Sequence, residues 1–132
     1  MPEPIWLTRA IVEALHAVQV REHGGQLGLR DEGLLESALA RPRNVWSYQP
    51  DADLTLLAAE YGYGLAKNHA FLDGNKRIAF VAMNVLLILN GYEIDAPEPE
   101  VVERMLEVAD GRLPLEGLGE WIRPALTPVQ DV

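Results

Sequence analysis

Residues 69–77 read His-Ala-Phe-Leu-Asp-Gly-Asn-Lys-Arg and hold several reactive side-chain types in close succession. His69 can change its protonation near neutral pH, so it could take a proton from an attacking hydroxyl. Asp73 is a carboxylate that could hold the divalent cation accompanying nucleotide phosphates. These two side chains together predict acid–base chemistry on a phosphate-bearing substrate.

The second half of this segment predicts an anion pocket. Gly74 allows a tight turn, and the residues after it are expected to begin a helix. The first N–H groups of a helix have no partners inside it, and the positive end of the helix dipole lies there too, so a phosphate would fit. Lys76 and Arg77 would stand in the first turn, where cations are unfavourable unless an anion is bound beside them. Their position therefore indicates a ligand.

Phe71 is expected to anchor the segment by pointing into the core between two helices, because small displacements of a catalytic group can cost large rate factors. Taken alone, His69 would more often be a structural histidine, and residues 73–75 would more often be an ordinary turn. Their combination favours the functional interpretation. A calcium loop is excluded, because the alternating oxygen ligands before the glycine are missing. His16 and His23 have no ligand partners at suitable spacing and are expected to be structural or exposed.

Helical periodicity dominates the chain before the segment. Thr8 can cap a first helix that ends at Gly24. Asp31 can cap a second, short helix that Pro42 stops. Residues 41–50 show no periodicity, so they are predicted to form a loop with exposed aromatic side chains.

A third helix is predicted to begin at Asp53, and Gly62 and Gly64 are tolerable in it only where it packs closely against a neighbour. Residues 78–89 are apolar almost all round, which predicts a buried central helix. No strand pattern is evident. The predicted fold class is therefore all-α, a compact bundle of about six helices, the last two of which fall at residues 99–111 and 114–126.

Composition limits the remaining possibilities. The length of 132 residues predicts a single domain over 1–132, with a core of about 7–126 and a disordered tail at 127–132. The formal charge of −9 disfavours nucleic acid as a direct ligand, and the absence of cysteine excludes disulfides and thiolate chemistry. Neither a signal peptide nor an apolar run of the roughly 20 residues that a membrane span requires is evident, so a cytoplasmic location without membrane contact is expected.

The motif at residues 69–77 resembles the signature of the Fic/Doc family, His-x-Phe-x-Asp/Glu-Gly-Asn-Gly/Lys-Arg, and every fixed position is met. It looks like the Doc branch in particular. Lys76 stands where the adenylyl-transferring Fic enzymes have glycine, and Phe80 stands where those enzymes carry a second arginine. The resemblance extends through the helix-Gly-Gly segment around Gly24 and covers roughly residues 7–126.

This resemblance implies a six-helix fold and the toxin of a toxin–antitoxin pair. Such a toxin moves the terminal phosphate of a nucleoside triphosphate to a serine or threonine hydroxyl of translation elongation factor Tu and arrests translation. The self-inhibitory motif of Fic enzymes, Ser/Thr-x-x-x-Glu-Gly/Asn, does not occur in the sequence, so inhibition is expected from a Phd-like antitoxin. Carried over by position, the family roles are His69 as general base, Asp73 as ligand of Mg²⁺, and, as the cradle for the phosphates of ATP, Gly74, Asn75, Lys76 and Arg77.

Two other functions remain open. A Fic-type adenylyltransferase would need the α-phosphate at the acceptor hydroxyl, and Lys76 in place of glycine would crowd that orientation. A non-catalytic interaction domain could keep the pocket as a regulatory nucleotide site, although the intact pair of His69 and Asp73 speaks against it.

Overall fold

A computed structural model describes residues 2–129 of the chain. Within this range the chain forms six α-helices, a short 3₁₀ turn and one two-stranded antiparallel sheet. The all-α fold class with six helices is thereby confirmed. In chain order the elements are α1 (Arg9–His23), α2 (Glu32–Tyr48), α3 (Leu54–Asn68), α4 (Asn75–Leu89), β1 (Tyr92–Ile94), α5 (Glu98–Ala109), α6 (Leu115–Ile122), the 3₁₀ turn (Arg123–Ala125) and β2 (Leu126–Pro128).

The first three helices begin where their capping residues predict. Thr8, Asp31 and Asp53 each accept a hydrogen bond through a side-chain oxygen from the backbone N–H three residues further on. Each cap satisfies a donor that the helix itself cannot pair, which stabilises a helix by about 1 kcal/mol. The starts of α1 to α3 are therefore fixed by local chemistry.

Helices α3 and α4 form the centre of the bundle. Most of α3 is buried, and α4 is buried along the face that it turns to α3. A Cβ atom at Gly62 would overlap the side chain of Met83 in α4, and one at Gly64 would lie 3.3 Å from the Cα of Ala38 in α2. The expectation that these glycines permit close packing is confirmed. The contact of Gly62 with Met83 joins α3 and α4, the two helices that flank the motif loop.

Helix α2 runs past Pro42 to Tyr48, so the predicted stop at Pro42 and the predicted loop at 41–50 were wrong. A proline inside a helix removes one backbone hydrogen bond. Tertiary contacts offset that loss here. Pro42 is buried, and Arg41 donates to the carboxylate of Glu60 in α3 at 2.9 Å, so the second half of α2 is held against the bundle.

The short sheet joins two segments that lie far apart in the sequence. Tyr92 pairs with Pro128, and Ile94 pairs with Leu126. The expectation of no strands was wrong at these positions, because three residues are too few to show a period of two. The predicted last helix ends at Ile122 rather than at residue 126. The predicted disorder of 127–132 was wrong for 127–129, because 127 and 128 lie in β2 and the N–H of Val129 donates to the carbonyl of Gly91 at 3.0 Å. Residues 130–132 lie outside the described residues.

No helix between residues 2 and 129 is long and apolar enough to cross a membrane.

Candidate functional site

The motif lies between the C-terminal end of α3 and the N-terminal end of α4. His69 follows the last residue of α3 in the left-handed conformation, with φ 51° and ψ 49°. This conformation costs a residue with a Cβ atom about 1 kcal/mol, so neighbouring contacts must maintain it. The imidazole is exposed and makes no hydrogen bond with any side chain or backbone group of residues 2–129. Its ring nitrogens are therefore available to a substrate.

The backbone around His69 is fixed by the segment before α2. The Nε of Arg30 donates to the carbonyl of His69 at 2.6 Å, and its Nη2 donates to the carbonyl of Asn68 at 3.0 Å. The backbone N–H groups of Arg30 and Asp31 both donate to the carbonyl of Ala70. Sequence reasoning missed Arg30, because nothing in the sequence relates it to residues so distant along the chain.

Phe71 is buried as expected, at 2% exposure. Its ring stacks on the imidazole of His16 in α1, with centroids 3.9 Å apart and planes 15° apart. The Nε2 of His16 donates to the carbonyl of Asp73 at 2.8 Å, since a carbonyl can only accept. His16 is thus structural, as expected, yet it holds the centre of the motif. His23, the other histidine of α1, is exposed.

The side chain of Asn75 is occupied by the motif itself. Its Oδ1 accepts from the backbone N–H of Phe71, and its Nδ2 donates to the carbonyl of Phe71, both at 3.0 Å. The residue is 8% exposed. Asn75 can therefore contribute to a phosphate cradle through its backbone N–H, whereas its amide group closes the loop between α3 and α4.

The carboxylate of Asp73 lies exposed at the mouth of the loop. Its Oδ1 accepts from the N–H of Gly74 at 2.8 Å, and its Oδ2 accepts from the N–H of Gln26 at 3.2 Å. The chain passes so close here that a Cβ at Gly25 would lie 2.8 Å from Oδ2. Gly24 and Gly25 both have a positive φ, which favours glycine, and at Gly25 the close approach of Asp73 also leaves no room for a side chain.

Asp73 fits a magnesium site that relies on the nucleotide for most of its ligands. Each carboxylate oxygen has one hydrogen-bond partner and keeps a free lone pair on an exposed surface. Residues 2–129 contain no cluster of three or more His, Cys, Asp or Glu side chains that could hold a metal ion. Mg²⁺ is commonly bound by one or two carboxylates together with substrate phosphates and water. A single carboxylate is therefore enough as the protein ligand.

The N-terminal end of α4 provides the positive charge. Gly74, with φ 74°, precedes the helix, and no side chain caps its first turn. Lys76 and Arg77 are exposed, and neither forms an ion pair with another described residue. Most arginines elsewhere in this part of the chain are paired with carboxylates, namely Arg9, Arg41, Arg104, Arg112 and Arg123. In a chain of net charge −9, two free cations beside unpaired N–H groups form a local anion site.

Comparison with known proteins agrees with this geometry. Residues 6–87 match the model of the Fic/DOC family. They include α1 to α3, the whole motif and all but the last two residues of α4, and make up more than half of the chain. Toxin Doc from Mycolicibacterium smegmatis (strain ATCC 700084 / mc(2)155) is 43% identical over 74 residues, which cover 55% of this chain and 57% of the relative. The chain therefore spans little more than half the length of that relative. On the family match, the chain belongs to the Fic/DOC family.

Proposed function

We propose that the protein is the toxin of a toxin–antitoxin pair and transfers the terminal phosphate of ATP to a serine or threonine hydroxyl of translation elongation factor Tu. The observation that carries the transfer is the juxtaposition of a free imidazole, at His69, with an uncapped helix start that bears two free cations. The identity of the acceptor rests on the family resemblance, and so does inhibition by a Phd-like antitoxin.

The chemistry follows from the groups present. The acceptor oxygen attacks the terminal phosphorus while a ring nitrogen of His69 takes the hydroxyl proton. The bond from that phosphorus to the bridging oxygen breaks, and its electron pair leaves with the nucleoside diphosphate. The protein acceptor gains a phosphate ester, and His69 later releases its proton to water. The N–H groups at the start of α4, with Lys76 and Arg77, bind the phosphate oxygens and stabilise the charge that they carry.

Asp73 would hold a magnesium ion, which would supply positive charge to neutralise the phosphates. Replacing Asp73 by Asn should weaken binding of magnesium–nucleotide, because one negative ligand is lost while both backbone N–H groups lose a charged acceptor. The exposed Asp51, which lies outside the motif, offers a matched control in the form of Asp51→Asn. Calorimetric titration should show weaker binding for Asp73→Asn alone. Native affinity in that variant would rule out the proposed metal ligand.

Adenylyl transfer is the second candidate, and two side chains argue against it. Lys76 is exposed at the helix start, where a long cationic side chain occupies space that a glycine would leave open. Phe80 packs against the core and offers no second cation to the phosphates. The change Lys76→Gly should relieve the crowding and allow some adenylyl transfer. The missing arginine should keep that transfer slow.

ATP labelled separately at the α- and γ-phosphates tests the choice. With purified elongation factor Tu as acceptor, label should pass to the acceptor from the γ-position and not from the α-position. His69→Ala should abolish this transfer, since a general base contributes typically about 10² to 10⁴-fold to rate. His23→Ala, which removes an exposed histidine outside the motif, serves as the control. Transfer of α-label by the wild type would refute the phosphotransferase.

The non-catalytic alternative has its own outcome. If the protein arrests growth equally well as wild type and as a well-expressed His69→Ala variant, the toxicity does not depend on chemistry at this base. Growth arrest that requires His69, together with γ-label on a protein other than elongation factor Tu, would keep the transferase and overturn only the acceptor. Mass spectrometry of a translation extract incubated with ATP distinguishes these acceptors.

A further inference from the structure

Arg30 contacts the motif although it lies outside it. Its guanidinium group donates two hydrogen bonds, from Nε to the carbonyl of His69 at 2.6 Å and from Nη2 to the carbonyl of Asn68 at 3.0 Å. It forms no ion pair with any carboxylate of the described residues. Among residues 2–129, the side chain of Arg30 therefore forms hydrogen bonds with these two backbone carbonyls only.

The two carbonyls stand at the C-terminal end of α3. The last carbonyls of a helix have no partners within it, and the negative end of the helix dipole lies there. A guanidinium group carries a fixed fork of N–H donors and a permanent positive charge, so it can satisfy two adjacent carbonyls and complement the dipole at once. Arg30 therefore satisfies the last carbonyls of α3, as the backbone N–H groups of a C-terminal glycine motif do at other helices.

His69 is the residue for which this contact matters most. Its φ of 51° is the only positive φ of a non-glycine residue among residues 2–129. The residues on either side are fixed by other bonds, since the Nδ2 of Asn68 donates to the carbonyl of Leu34 and the carbonyl of Ala70 accepts two backbone N–H groups. Loss of the Arg30 side chain would remove the donors that hold the two peptide groups flanking His69, so these groups could rotate and φ of His69 could move to a more common value.

We infer that Arg30 is a positioning residue, which holds the backbone of His69 in the left-handed conformation and so fixes the direction in which the imidazole leaves the chain. Its effect on turnover rests on the proposed function, whereas its effect on the conformation of His69 does not. A misplacement of a catalytic group by about 1 Å can reduce a rate by about 10²-fold. Turnover should therefore fall steeply when Arg30 is removed.

A different role for Arg30 predicts a different kinetic pattern. Arg30 is exposed, so it could instead bind a phosphate of the nucleotide. Its removal would then raise KM for ATP, because a ground-state contact would be lost. If Arg30 acts through His69, kcat should fall about 10- to 100-fold while KM for ATP stays within about twofold of the wild-type value.

The experiment compares Arg30→Ala, Arg30→Lys and Arg123→Ala with the wild type. Arg123 is the matched control, because it contacts the other end of the same helix, donating to the carboxylate of the N-cap Asp53 at 2.7 Å. The first measurement is the intraresidue nuclear Overhauser effect between the amide and α protons of His69, which is strong at positive φ. We expect it to weaken in Arg30→Ala, to be largely kept in Arg30→Lys, and to stay unchanged in Arg123→Ala.

The second measurement is kcat and KM for ATP in the γ-label assay. A folded Arg30→Ala protein that keeps the strong proton–proton signal of His69 overturns the inference, and so does one that loses the signal but turns over at the wild-type rate. A raised KM with unchanged kcat also overturns it. If Arg30→Ala does not fold, the graded response of Arg30→Lys decides by the same criteria. If the wild type transfers no label, the proposed function fails while the proton–proton signal still tests the positioning of His69.

Discussion

Replacing Asn75 by Ala should destabilise the whole protein rather than weaken nucleotide binding alone. The amide of Asn75 pairs with both the N–H and the carbonyl of Phe71, and all of these atoms are buried. Alanine leaves that N–H and that carbonyl without partners and offers little room for water. The side chain of Asn75 therefore closes the loop between α3 and α4. If that side chain instead contacted phosphate, its removal would weaken nucleotide binding without lowering the free energy of unfolding.

The size of the effect follows from the two lost bonds. A buried polar group left without a partner costs about 1–3 kcal/mol, so two such groups cost about 2–6 kcal/mol in the free energy of unfolding. Because the costs of two groups in contact do not simply add, we take the lower half of this range, about 2–4 kcal/mol. For a domain of this length about 1 kcal/mol corresponds to roughly 3–5 °C, so the melting temperature should fall by roughly 10 °C.

Thermal and urea denaturation of Asn75→Ala and Asn44→Ala test this reasoning. Asn44 is exposed on α2, and its replacement removes the same atoms without exposing an unpaired group, so its stability should change by less than about 0.5 kcal/mol. Nucleotide titration of each folded variant completes the assay. An Asn75→Ala protein with native stability but weak affinity for ATP would refute the loop-closure role and would favour direct contact with phosphate.

Three further predictions follow from neighbouring contacts. Gly25→Ala should displace the carboxylate of Asp73 and weaken magnesium–nucleotide binding in calorimetry, whereas Gly24→Ala, which shares a positive φ but meets open space, should leave binding native. Phe71→Ala should lower the free energy of unfolding by about 3–5 kcal/mol, and an unshifted urea midpoint would contradict its role as anchor. Burial raises the pKa of Asp53, but hydrogen bonds from the N–H of Leu56 and from Arg123 hold that pKa below its ordinary value. The stabilisation of the folded state by the Asp53 carboxylate is therefore full above about pH 4. It should be lost as the pH falls through the folded pKa, and urea denaturation from pH 3 to pH 7 should show a flatter profile for Asp53→Asn.

The predictions that the structure confirms concern features encoded by short stretches of sequence. Thr8, Asp31 and Asp53 mark helix starts because each side chain reaches an N–H only three residues away. The prediction that α2 stops at Pro42 failed because it considered only the backbone hydrogen bond that a proline removes, and no tertiary contact that could offset this loss. The compensating contact, between Arg41 and Glu60, joins two helices and has no local signal.

The candidate site also combines features encoded by neighbouring residues with features set by tertiary contacts. The sequence by itself determined which reactive groups stand in residues 69–77 and that a glycine precedes a helix whose first N–H groups are free, since these are properties of neighbouring residues. Only the tertiary structure decided how the groups are held. Arg30 reaches the carbonyl of His69, and His16 stacks beneath Phe71, across long intervals of chain. Such contacts depend on how α1, α2 and α3 pack together, because a side chain's partner is set by distance in space and not by distance along the sequence.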